Sequence, residues 1–224
     1  MKILAVDTAL GACSAAVLSG DGVLSYRFEA MERGHAERLA PMVRDVMQEA
    51  GLAFDTIDRL AVTTGPGTFT GQRVGLAFMR GLRIAIRKPL LGVTTLEAML
   101  AQAMANASAD SAVVLQHAKR HEAYIAGRIG SDLVIPVSLI NLDDMPARLL
   151  EAFGHRATVF AGTGAEDAAL AYRANGGIAQ TLQLVAPDAR WVGRLAGCAA
   201  EPQGIPKPLY LRPPDARLPR KVQE

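Results

Sequence analysis

The order in which strand-like and helix-like segments follow one another limits this chain more than any single motif. "KILAVDTA" and "CSAAVLSG" are apolar runs of strand length, and "GDG" is a turn into "VLSYRFEAM", because its residues tolerate positive φ. From His35 to Ala50 a helical face carries Leu39, Met42, Val43, Val46, Met47 and Ala50 against Glu37, Arg38, Arg44, Asp45 and Gln48, and Gly51 is its stop signal. "IDRLAVTT" reads as a strand, "GQRVGLAFMRGLRIAI" as a helix, "LLGV" as a short strand and "TTLEAMLAQAMA" as a helix. The second half repeats the order. Strands are predicted at "AVVLQHA", "EAYIAGRI" and "LVIPVSLI", then a helix from Asp143 to Phe153, the strand "ATVFAGTG", a helix from Glu166 to Ala174, a short strand "LQLV" and the helix "DARWVGRLAGCAA".

Such a repeat of architecture, without a short sequence repeat, predicts an α/β protein of two similar lobes, each of βββαβα type. A three-stranded meander followed by alternating helices and strands resembles the ribonuclease-H-like half of the actin-like ATPase fold, in which two halves flank a nucleotide cleft. The expected division is residues 1–105 for the first lobe, 106–212 for a smaller second lobe and 213–224 for a flexible basic tail. Within that ending, "PLYLR" is expected to dock, and Arg217, Arg220 and Lys221 to form the mobile basic end.

Composition adds exclusions. A net charge of +2 over 224 residues is too mild to indicate a nucleic-acid binder by itself. Cys13 and Cys198 are far apart and without CxxC spacing, which suits a reducing compartment and two buried thiols. "MKILAVDTALG" is too brief an apolar run for a signal segment, and no stretch approaches membrane-spanning length, so a cytoplasmic location with no membrane contact is expected.

An actin-like cleft would need carboxylates and phosphate loops. "DTALGACS" offers Asp7, Thr8, Gly11 and Ser14, enough for half a phosphate site. The matching hairpin of the second half, "LQHAKRHEA", has Gln116 where an acid would hold a hydrated metal, and "AGTGAED" reads as loop geometry. His117 and His121 straddle a hairpin turn and are expected to be polar loop residues, with no metal site.

"TTGPGTFTGQRVG" joins a strand to a helix. It is not a phosphate-binding P-loop, since Gln72 and Arg73 follow Gly71 where Lys and Ser or Thr are required. Gly65, Pro66, Gly67 and Gly71 shape the corner, and Phe69 is expected to anchor it in the core. The helix has no acidic residue from Gly71 to Lys88, places Arg73, Arg80, Arg83 and Arg87 along one side, and repeats small residues every four positions in two series, Gly71 with Gly75, and Ala77 with Gly81 and Ala85. Two readings remain open: a helix sandwiched in the core, or a protein interface.

"ILAVDTALGACSAAV", "HAERLAPMV", "LAVTTGPGTFTGQRVGLAFMRGL", "LLGVTTLEAM" and the closing "PLYLRPP" resemble the bacterial TsaB family, also called YeaZ. The resemblance covers the first hundred residues and the ending. It implies the actin-like two-lobed fold, no catalytic centre, and binding through first-lobe helices to the larger paralogue TsaD. With TsaE, that assembly transfers threonylcarbamoyl to the adenosine next to the anticodon in tRNAs reading ANN codons. On this resemblance the partner interface comprises His35, Leu39, Met42, Val46, Arg73, Gly75, Leu76, Met79, Arg80 and Arg83, with a homodimer through the same helices when TsaD is absent. Asp7 and Thr8 are the candidate nucleotide contacts. ATP and metal are expected on the partner subunits, none on this chain, and tRNA contact is indirect. Two departures bear on this. The catalytic paralogue carries HxxxH where this chain has His35 and Leu39, so that metal site is lost. Gln116 stands where an acid is usual, which leaves the second lobe's role open. The alternative is a small actin-like ATPase or kinase acting alone; a glycopeptidase finds no nucleophile or metal constellation here.

Overall fold

The computed structural model describes residues 1–202 and 204–212; the basic tail expected over 213–224, with Arg217, Arg220 and Lys221, lies outside the described residues. The first half forms β1 (Lys2–Asp7), β2 (Ala12–Ser19), β3 (Gly22–Ala30), α1 (His35–Glu49), β4 (Arg59–Thr63), α2 (Phe69–Ile86), β5 (Leu90–Val93) and α3 (Thr95–Ala107). The second half forms β6 (Ser111–His117), β7 (Glu122–Ile129), β8 (Asp132–Asn141), α4 (Met145–Phe153), β9 (Ala157–Ala161), α5 (Ala165–Ala174), β10 (Ile178–Leu182) and α6 (Ala189–Cys198). Two five-stranded sheets result, ordered β3-β2-β1-β4-β5 and β10-β9-β6-β7-β8. In each, the meander is antiparallel and the later strands add in parallel on the other side of its first strand. The α/β architecture of two similar lobes is therefore present as expected.

The apolar strands are continuous because both faces of each sheet are covered, and the period-2 alternation divides them. In β1, Leu4 and Val6 join the core made with Leu39, Met42, Val46, Leu76 and Met79 of α1 and α2. Ile3 and Ala5 point the other way, onto Ala189, Val192 and Ala196 of α6. In β6, Val113 and Leu115 face α4 and α5, while Ala112 and Val114 face Leu96, Met99, Leu100 and Ala103 of α3.

The two central helices thus change sides. α3 follows the first sheet in sequence but covers the second, and α6 ends the second half but covers the first. Each sheet is thus covered on one face by a helix from the other half of the chain. Helix ends are set by local chemistry. Thr68 Oγ1 accepts from Gly71 N at 3.1 Å, Thr94 Oγ1 from Glu97 N at 3.2 Å, and Asp188 Oδ1 from Arg190 N at 2.8 Å.

Two further expectations are corrected. The last strand is Ile178–Leu182 rather than "LQLV", because its register follows β9 from Ala157 to Ala161 and the chain then peels away. Cys198 is exposed at the end of α6, whereas Cys13 is buried and its thiol is pushed up to about 12 by that burial. Pro136 sits within β8, an edge strand, where the missing donor is tolerated.

Arg59 locks α6 onto the first sheet. Its guanidinium is buried and donates to the carbonyls of Ala196 and Ala199 at 2.6 and 2.8 Å and to Glu201 at 2.7 Å, satisfying the open end of α6 with a cation. Arg59→Met keeps the apolar stem and removes these bonds, so urea denaturation should show a loss of about 3 kcal/mol. A loss below about 1 kcal/mol would mean the bonds hold nothing.

Candidate functional site

The corner between β4 and α2 is built against the turn between β1 and β2. Asp7 ends β1 and is fully buried; its Oδ1 accepts from Thr63 Oγ1 at 2.6 Å and from Ala9 N at 3.1 Å. Its Oδ2 is buried without a partner, and burial, opposed by the Thr63 hydrogen bond, raises the carboxyl to about 7. Thr8 Oγ1 donates to Gly71 O at 2.7 Å, Thr68 N donates to Ala9 O at 2.8 Å, and Ser14 Oγ accepts from Ala189 N at 3.0 Å. The polar groups proposed as half a phosphate site thus spend their hydrogen bonds inside the chain.

Glycines make that contact possible. A Cβ on Gly67 would lie 2.2 Å from Ala9 O, and one on Gly71 would lie 2.1 Å from Thr8 O. One on Gly75 would meet Thr8 Oγ1 at 2.6 Å. These positions therefore serve a close approach within the lobe. Gly65 adds a positive φ of 112° that shapes the corner before Pro66.

The structure sorts the interface candidates by burial. Leu39, Met42, Val46, Leu76 and Met79 lie in the core between α1, α2 and the sheet, and Gly75 is buried beside Thr8. They have no surface left for a partner, which corrects their assignment as contacts. His35 is also buried, and its Nε2 donates to Leu10 O at 3.1 Å. Phe69, expected in the core, is 61% exposed. Two of the arginines have partners within the chain: Arg80 donates to Pro206 O at 3.2 Å, and Arg73 lies over the Phe69 ring at 3.4 Å while its Nε donates to Tyr210 Oη at 3.1 Å. Arg83 is half-buried without an acidic partner among the described residues.

What α2 does present outward is Ala77, Gly81, Ile84 and Ala85, with Ile84 73% exposed. A Cβ on Gly81 would meet nothing within 4 Å. On α1, Ala36 and Ala40 are exposed as well. Spacing gave Gly71 with Gly75 and Ala77 with Gly81 and Ala85 the same four-residue repeat, and only burial shows that the first pair faces inward and the second series outward.

In the second lobe Gln116 takes the place of Asp7 as a brace. Its Oε1 accepts from Thr163 Oγ1 at 2.9 Å and Thr163 N at 3.2 Å, and its Nε2 donates to Val185 O at 2.9 Å. Thr163 follows β9 as Thr63 ends β4, so the two halves share this latch with an amide in place of a carboxylate. Gly162 allows the "AGTGAED" loop to lie on β6, since a Cβ there would be 2.2 Å from Leu115 O. The histidines separate: His117 pairs with Asp167 at 3.0 Å and His121 with Asp143 at 3.1 Å. Among the described residues no cluster of His, Cys, Asp and Glu is arranged to hold a metal, and no helix is long and apolar enough to cross a membrane.

Comparison with known proteins places these features in a family. The profile described as TsaD, tRNA N6-adenosine threonylcarbamoyltransferase, matches residues 28–152. The tRNA threonylcarbamoyladenosine biosynthesis protein TsaB of Escherichia coli is 39% identical over 126 residues, covering 56% of this chain and 54% of that protein. The chain thus spans about half the length of the curated relatives it matches. YeaZ from Pseudomonas aeruginosa superposes with a TM-score of 0.77 at 29% identity, covering 94% of this chain and 99% of that one. A ROK hexokinase from Thermus thermophilus, at TM-score 0.56 and 16% identity over 88% of this chain and 98% of its own, shares the fold.

Proposed function

The chain belongs to the TsaB (YeaZ) family of tRNA threonylcarbamoyladenosine biosynthesis proteins, and on that premise we propose that it is a scaffold subunit without a catalytic centre of its own. It binds a TsaD homologue through the first lobe and, with a TsaE homologue, supports threonylcarbamoyl transfer to the adenosine beside the anticodon of tRNAs reading ANN codons. ATP and metal belong to those partners, and the site of action is the cytoplasm. In the absence of TsaD the same surface pairs two copies of this chain.

The sealed Asp7 and the amide Gln116 support a non-catalytic role, because neither offers an open carboxylate to a metal-bound nucleotide. The observation that carries the partner reading is Gly81. A glycine inside a helix costs about 1 kcal/mol relative to alanine, and nothing among the described residues needs the space it leaves. Flanked by exposed Ala77, Ile84 and Ala85, it provides a place where a second helix can approach closely.

Gly81→Leu tests this. The position is open, and leucine is a good helix former, so the monomer should fold normally. Co-expressed with the same organism's TsaD homologue, the variant should lose the complex in analytical ultracentrifugation that the wild-type chain retains. Wild-type assembly by the variant would remove this surface from the interface, and ATP turnover by the purified chain alone would overturn the scaffold reading.

A further inference from the structure

The basic residues around α2 have a different chemistry. From Arg59 to Leu96 the chain contains no Asp or Glu; Arg59 is buried and paired with Glu201, and Arg73, Arg80, Arg83, Arg87 and Lys88 are exposed or half-buried. A second acid-free stretch runs from Pro202 to Arg212 and adds the exposed Lys207, whereas its Arg212 pairs with Glu122 at 3.1 Å. These segments are more than a hundred residues apart in sequence, yet the fold joins them. Leu209 N donates to Thr64 O at 2.8 Å, Arg80 Nε donates to Pro206 O at 3.2 Å, and Arg73 Nε donates to Tyr210 Oη at 3.1 Å.

At the junction sits an exposed aromatic cluster. The rings of Phe69 and Tyr210 are stacked, with centroids 6.4 Å apart and planes 28° from parallel. The Arg73 guanidinium is 3.4 Å from the Phe69 centroid and 5.9 Å from that of Tyr210. Tyr210 remains 51% exposed, and Lys207, three residues before it, is exposed as well. Burying these rings in the core would have been the cheaper use of them, so their exposure beside cations calls for a planar, negatively charged partner.

We propose that this ledge of Phe69, Arg73, Lys207 and Tyr210 is a contact surface for single-stranded RNA. Bases stack on the Tyr210 ring and the Arg73 guanidinium, and the flanking cations meet phosphates. RNA is favoured over an acidic protein segment because the surface combines stacking planes with cations and no acid from either segment, the pairing that single-stranded nucleic acid requires. The inference rests on the tRNA-modification reading above and gives this chain a direct contact with RNA, at the start of α2 rather than at Gly81 in its second half.

The test is fluorescence anisotropy of the full chain with labelled oligouridine and with an unmodified tRNA transcript over a range of salt. Tyr210→Ala should weaken oligouridine binding about tenfold, whereas Tyr210→Phe, which keeps the ring and loses only the bond to Arg73, should stay within about twofold. Arg73→Gln and Lys207→Gln should each lower the slope of log affinity against log salt by about 0.7, the value for one phosphate on a single strand. Circular dichroism melts should match wild type for Tyr210→Ala. Unchanged affinity and slope in these variants overturn the proposal. So does a Tyr210→Ala chain that loses the TsaD homologue while keeping RNA, since the ledge would then be a protein surface. RNA binding by a wild-type chain that fails to bind the TsaD homologue would instead sink the scaffold reading and leave the ledge standing.

Discussion

Gly71→Ala should destabilise the protein by roughly 3 kcal/mol, although alanine is the better helix former by about 1 kcal/mol. The added methyl would lie 2.1 Å from Thr8 O and 2.6 Å from Thr68 Oγ1, so the start of α2 and the turn after β1 must separate. That movement stretches two bonds at once: Thr8 Oγ1 to Gly71 O at 2.7 Å, and the cap from Gly71 N to Thr68 Oγ1 at 3.1 Å. Gly81→Ala, ten residues on in the same helix, meets open space and should gain up to about 1 kcal/mol. Urea midpoints for the two variants check the account. If both shift in the stabilising direction, the corner does not depend on close approach, and the internal use of Gly71 is refuted.

Asp7→Asn should stabilise the protein, and only at neutral and alkaline pH. The wild-type carboxyl is raised by burial from 3.8 to about 7, so between those values the folded state holds a proton that the unfolded chain has released. Its contribution is fully present below the unfolded value near pH 4 and is lost as pH rises through about 7. An amide keeps an acceptor for Thr63 and Ala9 and has no charge to desolvate. The variant should therefore match wild type near pH 4 and exceed it by on the order of 4 kcal/mol at pH 8. Paired urea denaturation at the two pH values measures the difference, from which all other titrating groups cancel. A pH-independent difference would show that Asp7 is already ionised in the fold, with water or a cation at Oδ2. Because the side chain is sealed, the gain in stability should leave assembly with a TsaD homologue unaltered.

The repeated βββαβα order was legible because strand and helix formation depend on patterns that recur every two or three to four residues along the chain. β1 shows it plainly: an unbroken apolar run announces a strand covered on both faces, and Leu4 with Val6 and Ile3 with Ala5 duly divide between two cores. The starts of α2 and α3 depend on chemistry confined to a single turn, the caps of Thr68 and Thr94. The GPGTFTG block could be read as a corner for the same reason.

What the sequence by itself determined, then, was the inventory of elements, their order and the family they belong to. The tertiary structure alone decided which small residues face inward and which face out. Gly71, Gly75 and Gly81 share one helix, but Gly71 and Gly75 meet Thr8, which is more than sixty residues away, and Gly81 meets nothing among the described residues. The same holds for Leu39, Met42 and Met79, whose apolar character suited a core and an interface equally until α1 and α2 were seen packed on the sheet. Phe69 left the core for Arg73 and Tyr210, and α3 and α6 changed sheets. Each of these outcomes depends on what a distant segment brings alongside. Periodicity records how a residue repeats along its own element, whereas burial and charge pairing are sums over neighbours from elsewhere in the chain, and only the fold supplies those neighbours.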